Sequence, residues 1–135
     1  MTASVFTPRE LDYLASQPLG RIATAQPDGT LQVSPVGFSY NPELDTIDVG
    51  GYGMAGSRKY RNVTDNGRVA FVVDDLAPES PHLPRCLEIR GSARAIDGEQ
   101  EGPLIRIYPK RIIAFGIDTP FTSPATLVVN ARDVG

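Results

Sequence analysis

Between Gly50 and Lys59 the chain reads GGYGMAGSRK, four glycines followed by a serine and two cations. Glycine lets the backbone turn sharply and come close to another group. A helix opened by Ser57 as N-cap presents unpaired N–H groups and a partial positive charge next to Arg58 and Lys59, the ingredients of a phosphate cradle. Cations in a first helical turn oppose the helix dipole, and a bound anion offsets that conflict. A flexible loop before an ordinarily capped helix is the competing reading of this stretch taken alone.

GYGMAG is also a literal match to G-x-G-x-x-G, which as a dinucleotide fingerprint needs a strand before it, a helix after it and an acid about 20 residues on. Thr46 to Gly50 (TIDVG), SRKYRNV and Asp74 with Asp75 supply all three superficially. The other groups with chemical potential are scattered. His82 is the lone histidine and sits in a Pro-rich stretch that reads as surface loop; Cys86 has no Cys or His at metal-ligand spacing and reads as a small buried hydrophobe. Tyr52 and Arg85 could polarise a carbonyl, yet both are equally at home in packing or ion pairing. No catalytic acid–base residue and no metal site is expected.

The elements that must position these groups read as follows. Thr7, Pro8 and Glu10 form a capping-box start for a helix to Gln17, expected to bury Leu11, Leu14 and Ala15. Leu19–Gln26, a PDGT turn and Leu31–Tyr40 read as a hairpin. Apolar residues there occupy odd positions at Leu31 and Val33 but even positions at Val36, Phe38 and Tyr40, so a bulge is expected at Ser34–Val36 beside Pro35. Thr46–Gly50 is a third strand, Ser57–Asp65 a short helix, and Arg68–Asp74 a fourth strand. Its unbroken VAFVV predicts cover on both faces, one of them by a second subunit. Ala77–Pro84 reads as a loop. Cys86–Ile96 alternates, with Leu87, Ile89, Gly91, Ala93 and Ala95 on one face; Leu104–Ile107 and Arg111–Gly116 read as strands parted by a YPKR turn, and Ala125–Asn130 as the last.

Eight short strands and two short helices exclude a doubly wound sheet and favour a small antiparallel barrel in one domain over 1–135. The 13 basic and 16 acidic residues give a net charge of −3, which argues against generic nucleic-acid binding. No apolar run approaches the roughly 18 residues of a membrane span. A single cysteine and no basic-then-apolar leader point to the cytoplasm.

RIATAQPDGTLQVSPVGFSYNPELDTIDVGG, SRKYRNVTDNGRVAFVVDD, PRCLEIRGSA and IRIYPKRIIAFGID, in that order, resemble the pyridoxamine 5′-phosphate oxidase-like split-barrel superfamily, and more closely its deazaflavin (coenzyme F420)-dependent branch. The resemblance runs from about Phe6 to Asp118. It implies a mainly β fold, an antiparallel Greek-key split barrel of six to eight strands with two or three short helices, and an obligate homodimer with two cofactor clefts at the interface. By the same resemblance Ser57, Arg58 and Lys59 hold the phosphate of F420 or FMN with Asn62 in support. The ring lies against Ser34, Pro35 and Val36, beside Gly50, Gly51 and Tyr52. The opposing chain contributes around Arg85 to Arg90 and Arg106 to Arg111. The acidic tail of F420 would suit Arg61, Arg85, Arg106, Lys110 and Arg111 if these converge. The activity implied is hydride transfer between reduced F420 and a conjugated small molecule such as a tetrapyrrole, quinone or enone. An FMN enzyme and a cofactor carrier without turnover are the alternatives. SPHL before PRCLEIRG and the absence of Trp depart from the pattern expected of close relatives, on the substrate side of the cleft.

Overall fold

The structure is a computed structural model that describes residues 3–119 and 123–135, and within them all side chains except those of residues 80–82 and 124. Helix α1 spans Pro8–Ser16 and opens with the expected capping box. Thr7 Oγ1 accepts from the Glu10 N–H at 3.1 Å, while Glu10 Oε1 accepts from the Thr7 N–H at 2.9 Å. Leu14 is buried as expected and Leu11 is half-buried against the core, but the other fully buried positions are Glu10 and Tyr13, and Ala15 is exposed. Two polar contacts rotate the helix this way. Tyr13 Oη donates to Asp75 at 2.8 Å, and the fully buried Glu10 carboxylate receives both terminal nitrogens of Arg132, at 2.6 and 3.1 Å.

The strands are β1 (Gly20–Ala25), β2 (Leu31–Val36), β3 (Ser39–Asn41), β4 (Thr46–Val49), β5 (Arg68–Ala77), β6 (Ser80–Gly98), β7 (Gly102–Phe115) and β8 (Val129–Asp133). All the pairings are antiparallel, in the order β2-β1-β5-β6-β7-β4-β3 with β8 on β7. The long β6–β7 hairpin is what splits the barrel. β7 takes β4 along Ile105–Ile107 and β8 along Arg111–Phe115, and β5 runs beside β6 only as far as Ser92. A register shift separates the halves between Arg90 and Gly91, where Gly91 faces Pro109. A proline with no N–H to give fits at such an irregularity, and an extra residue there bends the strand.

Three expectations are corrected. The YPKR stretch continues β7 instead of turning, because Pro109 and Lys110 are absorbed at the shift. Ala77–Pro84 is mostly strand: β5 runs to Ala77 and β6 starts at Ser80, with the irregularity of register lying between Leu76 and Ala77. His82 therefore lies in strand β6, and its side chain is outside the described residues. The third correction concerns β2, whose register against β1 is unbroken from Leu31 to Val36. Gln32, Ser34 and Val36 turn inward while Leu31 and Val33 stand 77% and 68% exposed, so no change of face occurs at Pro35. β2 is an edge strand, where proline costs no ladder bond. The real break is at Gly37–Phe38, after which β3 joins β4 on the far side of the sheet order. VAFVV alternates within the chain: Val69, Phe71 and Val73 are core, and Ala70 and Val72 are half-buried on the outer face, the one for which cover by a second subunit is expected.

The core is aliphatic, with Ile22, Ile47, Val49, Phe71, Val73, Leu87, Ile89, Ile105, Ile107 and Ile112 at 0–1% exposure. Phe38 packs edge-on against Phe71, ring centroids 5.3 Å apart. No helix among the described residues is long and apolar enough to cross a membrane.

Candidate functional site

Leaving β4 at Val49, the chain enters the glycine loop. Gly51 and Gly53 have φ of +150° and +69°, conformations that L side chains adopt only with strain. A Cβ placed on Gly50, Gly51, Gly53 or Gly56 would meet nothing within 4 Å, so the loop is open on its free side. Tyr52 between them is fully solvent-exposed. Met54–Gly56 forms one 3₁₀ turn whose Met54 side chain is buried, anchoring the loop to the core.

Helix α2 (Arg58–Asn66) follows, with Ser57 as N-cap. Ser57 Oγ accepts from the Tyr60 N–H at 3.2 Å and donates to the Met54 carbonyl at 2.7 Å. The cap thus ties the helix start to the loop, while the N–H groups of Arg58 and Lys59 have no intrahelical partner, as in any first turn. Arg58 is exposed and Lys59 half-buried; among the described residues neither forms an ion pair. Tyr60 Oη donates to the Ile96 carbonyl at 3.1 Å, and Gly67 in the left-handed region closes the helix.

One turn below Arg58 and Lys59, on the same helix face, Asn62 enters the barrel at 1% exposure. Its Nδ2 donates to Thr24 Oγ1 at 3.0 Å and to Gln32 Oε1 at 3.4 Å. Thr24 and Gln32 are register partners on β1 and β2, and Ser34 is the next inward residue along β2. Asn62 Oδ1 and Ser34 Oγ are both buried with no hydrogen-bond partner. Buried polar atoms are nearly always satisfied, so these two groups keep bonding capacity that a ligand could use. Two unpaired cations, free first-turn N–H groups and a rotatable hydroxyl are a donor set that fits a phosphate ester.

Of the residues singled out in the sequence, the structure groups Arg58, Lys59 and Asn62 on one helix with Ser57 as its cap, and links that helix to β2, the strand of Ser34, through the Asn62–Gln32 bond. Pro35 turns outward and Val36 is core; Gly50, Gly51 and Tyr52 form the loop leading into the helix. Thr24 and Gln32 escaped notice because a polar side chain on an alternating strand reads as solvent-facing. Their inward phase depends on Leu31 and Val33 pointing out.

Arg85 and Arg106 lie elsewhere and are engaged within the chain. Arg85 donates through Nε and Nη2 to Asp75, at 2.8 and 2.5 Å, and lies 4.8 Å over the Tyr13 ring. Arg106, 8% exposed, grips Asp48 with two 3.1 Å bonds and Glu101 with one of 2.7 Å, and its own pKa is raised mainly by the Asp48 bond. Arg111 pairs with Asp133. Arg85, Arg106 and Arg111 are thus each committed to a carboxylate of this chain, on different stretches of sheet. Burial, reinforced by Asp74 and Glu88, pushes the Cys86 thiol up to about 11, which keeps it protonated at neutral pH.

These pairs carry a pH signature. The Arg85 bond holds Asp75 below the usual carboxylate range; in Asp48, burial pushes upward but the bonds from Arg106, Asn41 and Thr46 prevail, and it too is lowered. A depressed carboxyl contributes stability that is whole above its unfolded pKa, about 4, and lost as pH falls through its folded value. Urea midpoints should therefore hold steady down to about pH 5 and drop below about pH 4. A midpoint unchanged to about pH 3 would contradict the pairs.

Comparison with known proteins agrees with this geometry. Residues 6–132 match the sequence profile of the family described as Pyridoxamine 5'-phosphate oxidase. A relative from Streptomyces rimosus subsp. rimosus, a 5a,11a-dehydrotetracycline/5a,11a-dehydrooxytetracycline reductase, is 40% identical over 136 residues, covering 96% of this chain and 93% of its own. A solved structure described as an F420 reductase superposes with a TM-score of 0.55 at 25% identity, covering 78% of this chain and 98% of that one. The FAD binding protein from Mycobacterium smegmatis gives 0.60 at 24% identity over 82% and 94%, a likeness of fold. Eight antiparallel strands among the described residues, split along β6–β7, and a profile match over nearly the whole chain converge: this protein belongs to the pyridoxamine 5'-phosphate oxidase family, with a reductase among its relatives.

Proposed function

We propose that this chain is an F420-dependent reductase that delivers a hydride to a conjugated enone. The observation that carries the reading is the start of α2, where Arg58 and Lys59 form no ion pair among the described residues and follow directly on an open glycine loop. Arg58, Lys59 and the free N–H groups of the first turn would hold the phosphate, the Ser34 hydroxyl would donate to it or to the ring, and the loop at Gly50–Tyr52 would border the ring. When bound in its reduced form, F420 supplies the hydride. The protein orients the substrate and excludes water. Hydride arriving at the carbon β to a carbonyl leaves an enolate that is protonated by water once the product leaves the site, so the chain needs no dedicated acid. The enone is preferred among the conjugated substrates because a relative at 40% identity is named for reducing a dehydrotetracycline.

The partner is a second copy of the chain. The outer face of β2-β1-β5 carries exposed Leu31 and Val33 with half-buried Ala23, Ala70 and Val72 beside them, a patch of small and branched apolar residues flanked by Arg21 and Glu88. Such a surface is what a dimer interface buries. Light scattering at micromolar concentration should return a dimer, and Val33→Asp should shift it to monomer; a wild-type monomer would overturn this assignment. A lone unpaired cysteine fits the cytoplasm.

Calorimetric titration of the cofactor-free protein with F420 and, separately, with FMN tests the cofactor. Micromolar or tighter F420 binding with weak FMN binding supports the deazaflavin reading. The reverse preference makes this an FMN enzyme on the same cradle. Binding of F420 without oxidation of its reduced form by any enone would make the protein a carrier.

A further inference from the structure

We infer that Tyr52 closes over the ring system of a phosphate ester held at the start of α2, so that this side chain, not the cradle, selects planar conjugated ligands; the inference rests on the cradle reading above. The chain has five tyrosines and no tryptophan, and every tyrosine but Tyr52 has a partner within the fold. Tyr13 Oη donates to Asp75, Tyr40 Oη to Asp45 at 2.6 Å and Tyr60 Oη to the Ile96 carbonyl, while Arg94 lies 5.9 Å from the centroid of the Tyr108 ring. Tyr52 is fully exposed, and among the described residues its ring enters no aromatic pair and lies under no cation. A single exposed aromatic is common by itself. Its setting is what points to a ligand.

The loop is fixed at both ends and open between them. Val49 and Met54 are buried in the core, and of the four residues that separate them three are glycine, which gives Tyr52 the backbone freedom to swing. A Cβ on Gly50, Gly51 or Gly53 would meet nothing within 4 Å, so the swing has room. It also reaches the cradle. The Met54 N–H donates to the Gly51 carbonyl at 3.3 Å, that of Gly56 to Gly53 at 3.1 Å and that of Ser57 to Met54 at 3.0 Å, so the chain from Gly51 to Ser57 coils in successive three-residue turns. At about 2 Å of rise per residue, the five steps from Tyr52 to Ser57 come to about 10 Å. The extended tail that joins phosphate to ring in a flavin or deazaflavin phosphate spans a similar length. A ring tethered through its phosphate to Arg58 and Lys59 therefore comes within reach of the Tyr52 ring, and offset stacking gives both flat faces a partner. A simple phosphate brings no such face.

Chemical labelling tests this without turnover. Tetranitromethane nitrates accessible tyrosines through their phenolates, and peptide mass mapping reads Tyr52 apart from the others. Burial and the Asp75 bond push the Tyr13 phenol up, and burial and the Asp45 bond do the same for Tyr40, so both should react slowly. Tyr52 should be nitrated first in the ligand-free protein. Saturating oxidised FMN or F420, whichever binds, should slow nitration at Tyr52 several-fold, whereas excess inorganic phosphate, which fills the cradle without a ring, should leave its rate unchanged. Tyr52→Ser should weaken binding of the ring-bearing ligand by about fivefold, the worth of one aromatic stack, and Tyr52→Phe should bind as wild type. The urea midpoint of ligand-free Tyr52→Ser should match wild type, since the side chain touches nothing in the fold. The inference is overturned if Tyr52 is no more reactive than Tyr60 and Tyr108 before ligand is added, if phosphate alone protects it, or if FMN or F420 binds while Tyr52 stays unprotected or Tyr52→Ser keeps full affinity; in each case the cradle stands. If neither FMN nor F420 binds the wild-type protein, the cradle reading fails and the inference with it.

Discussion

On the proposed function, Lys59→Ala should weaken F420 or FMN binding by about tenfold, the lower range for a charge-assisted hydrogen bond. Lys59 is half-buried and has no carboxylate partner, so its charge is less screened than that of an exposed residue. Arg58 is fully on the surface, and Arg58→Ala should cost only about twofold to threefold alone. The double variant should approach about a hundredfold when titrated at low salt, because each cation then no longer compensates for the other. Stability should move the opposite way. Both cations sit in the first turn of α2, where the dipole disfavours them, so the ligand-free Lys59→Ala protein should be more stable than wild type by a few tenths of a kcal/mol, ~0.3. A residue kept against its own helix and stabilised only by ligand behaves this way, whereas an ordinary surface lysine changes neither quantity. Unchanged affinity in a folded Lys59→Ala protein would remove the cradle.

The second large effect is on folding. A Cβ on Gly91 would stand 2.1 Å from the carbonyl oxygen of Tyr108 and 3.1 Å from its carbon. That oxygen belongs to the backbone of β7 at the register shift facing Pro109, so it cannot swing aside as a side chain would. Gly91→Ala should cost about 3 kcal/mol or more, the upper range for overpacking, because β6 and β7 must separate at the joint between the half-sheets. The denaturant midpoint should drop accordingly with ligand affinity per folded molecule unchanged. Gly37→Ala, where a Cβ meets nothing within 4 Å, is the control and should stay within about 0.5 kcal/mol of wild type. Comparable midpoints for the two variants would mean that the β6–β7 approach is looser than described.

Local signals in the chain determined a good deal. The capping box at Thr7–Glu10, the Ser57 cap, the PDGT hairpin and the alternation of Cys86–Ile96 all read correctly, since each depends on neighbours within four residues. The glycine loop and its basic triplet were visible for the same reason, and so was the exclusion of a doubly wound sheet. What tertiary structure decided was phase and partnership. Whether Leu31 and Val33 or Gln32 and Ser34 face inward turns on how β2 registers with β1, and the apolar pair points out, leaving Gln32 to meet Asn62 inside, which the pattern concealed. α1 buries Tyr13 and Glu10 because Asp75 and Arg132, 62 residues from Tyr13 and 122 from Glu10, offered partners. The YPKR stretch became strand because Gly91 lets Pro109 come close across the ladder. Arg85 and Arg106, alike in the sequence to Arg58, differ from it only because the sheet places Asp75 and Asp48 against them. A side chain's type sets what it can bind, but only the register of distant strands sets whether its partner is already in the chain or has still to arrive.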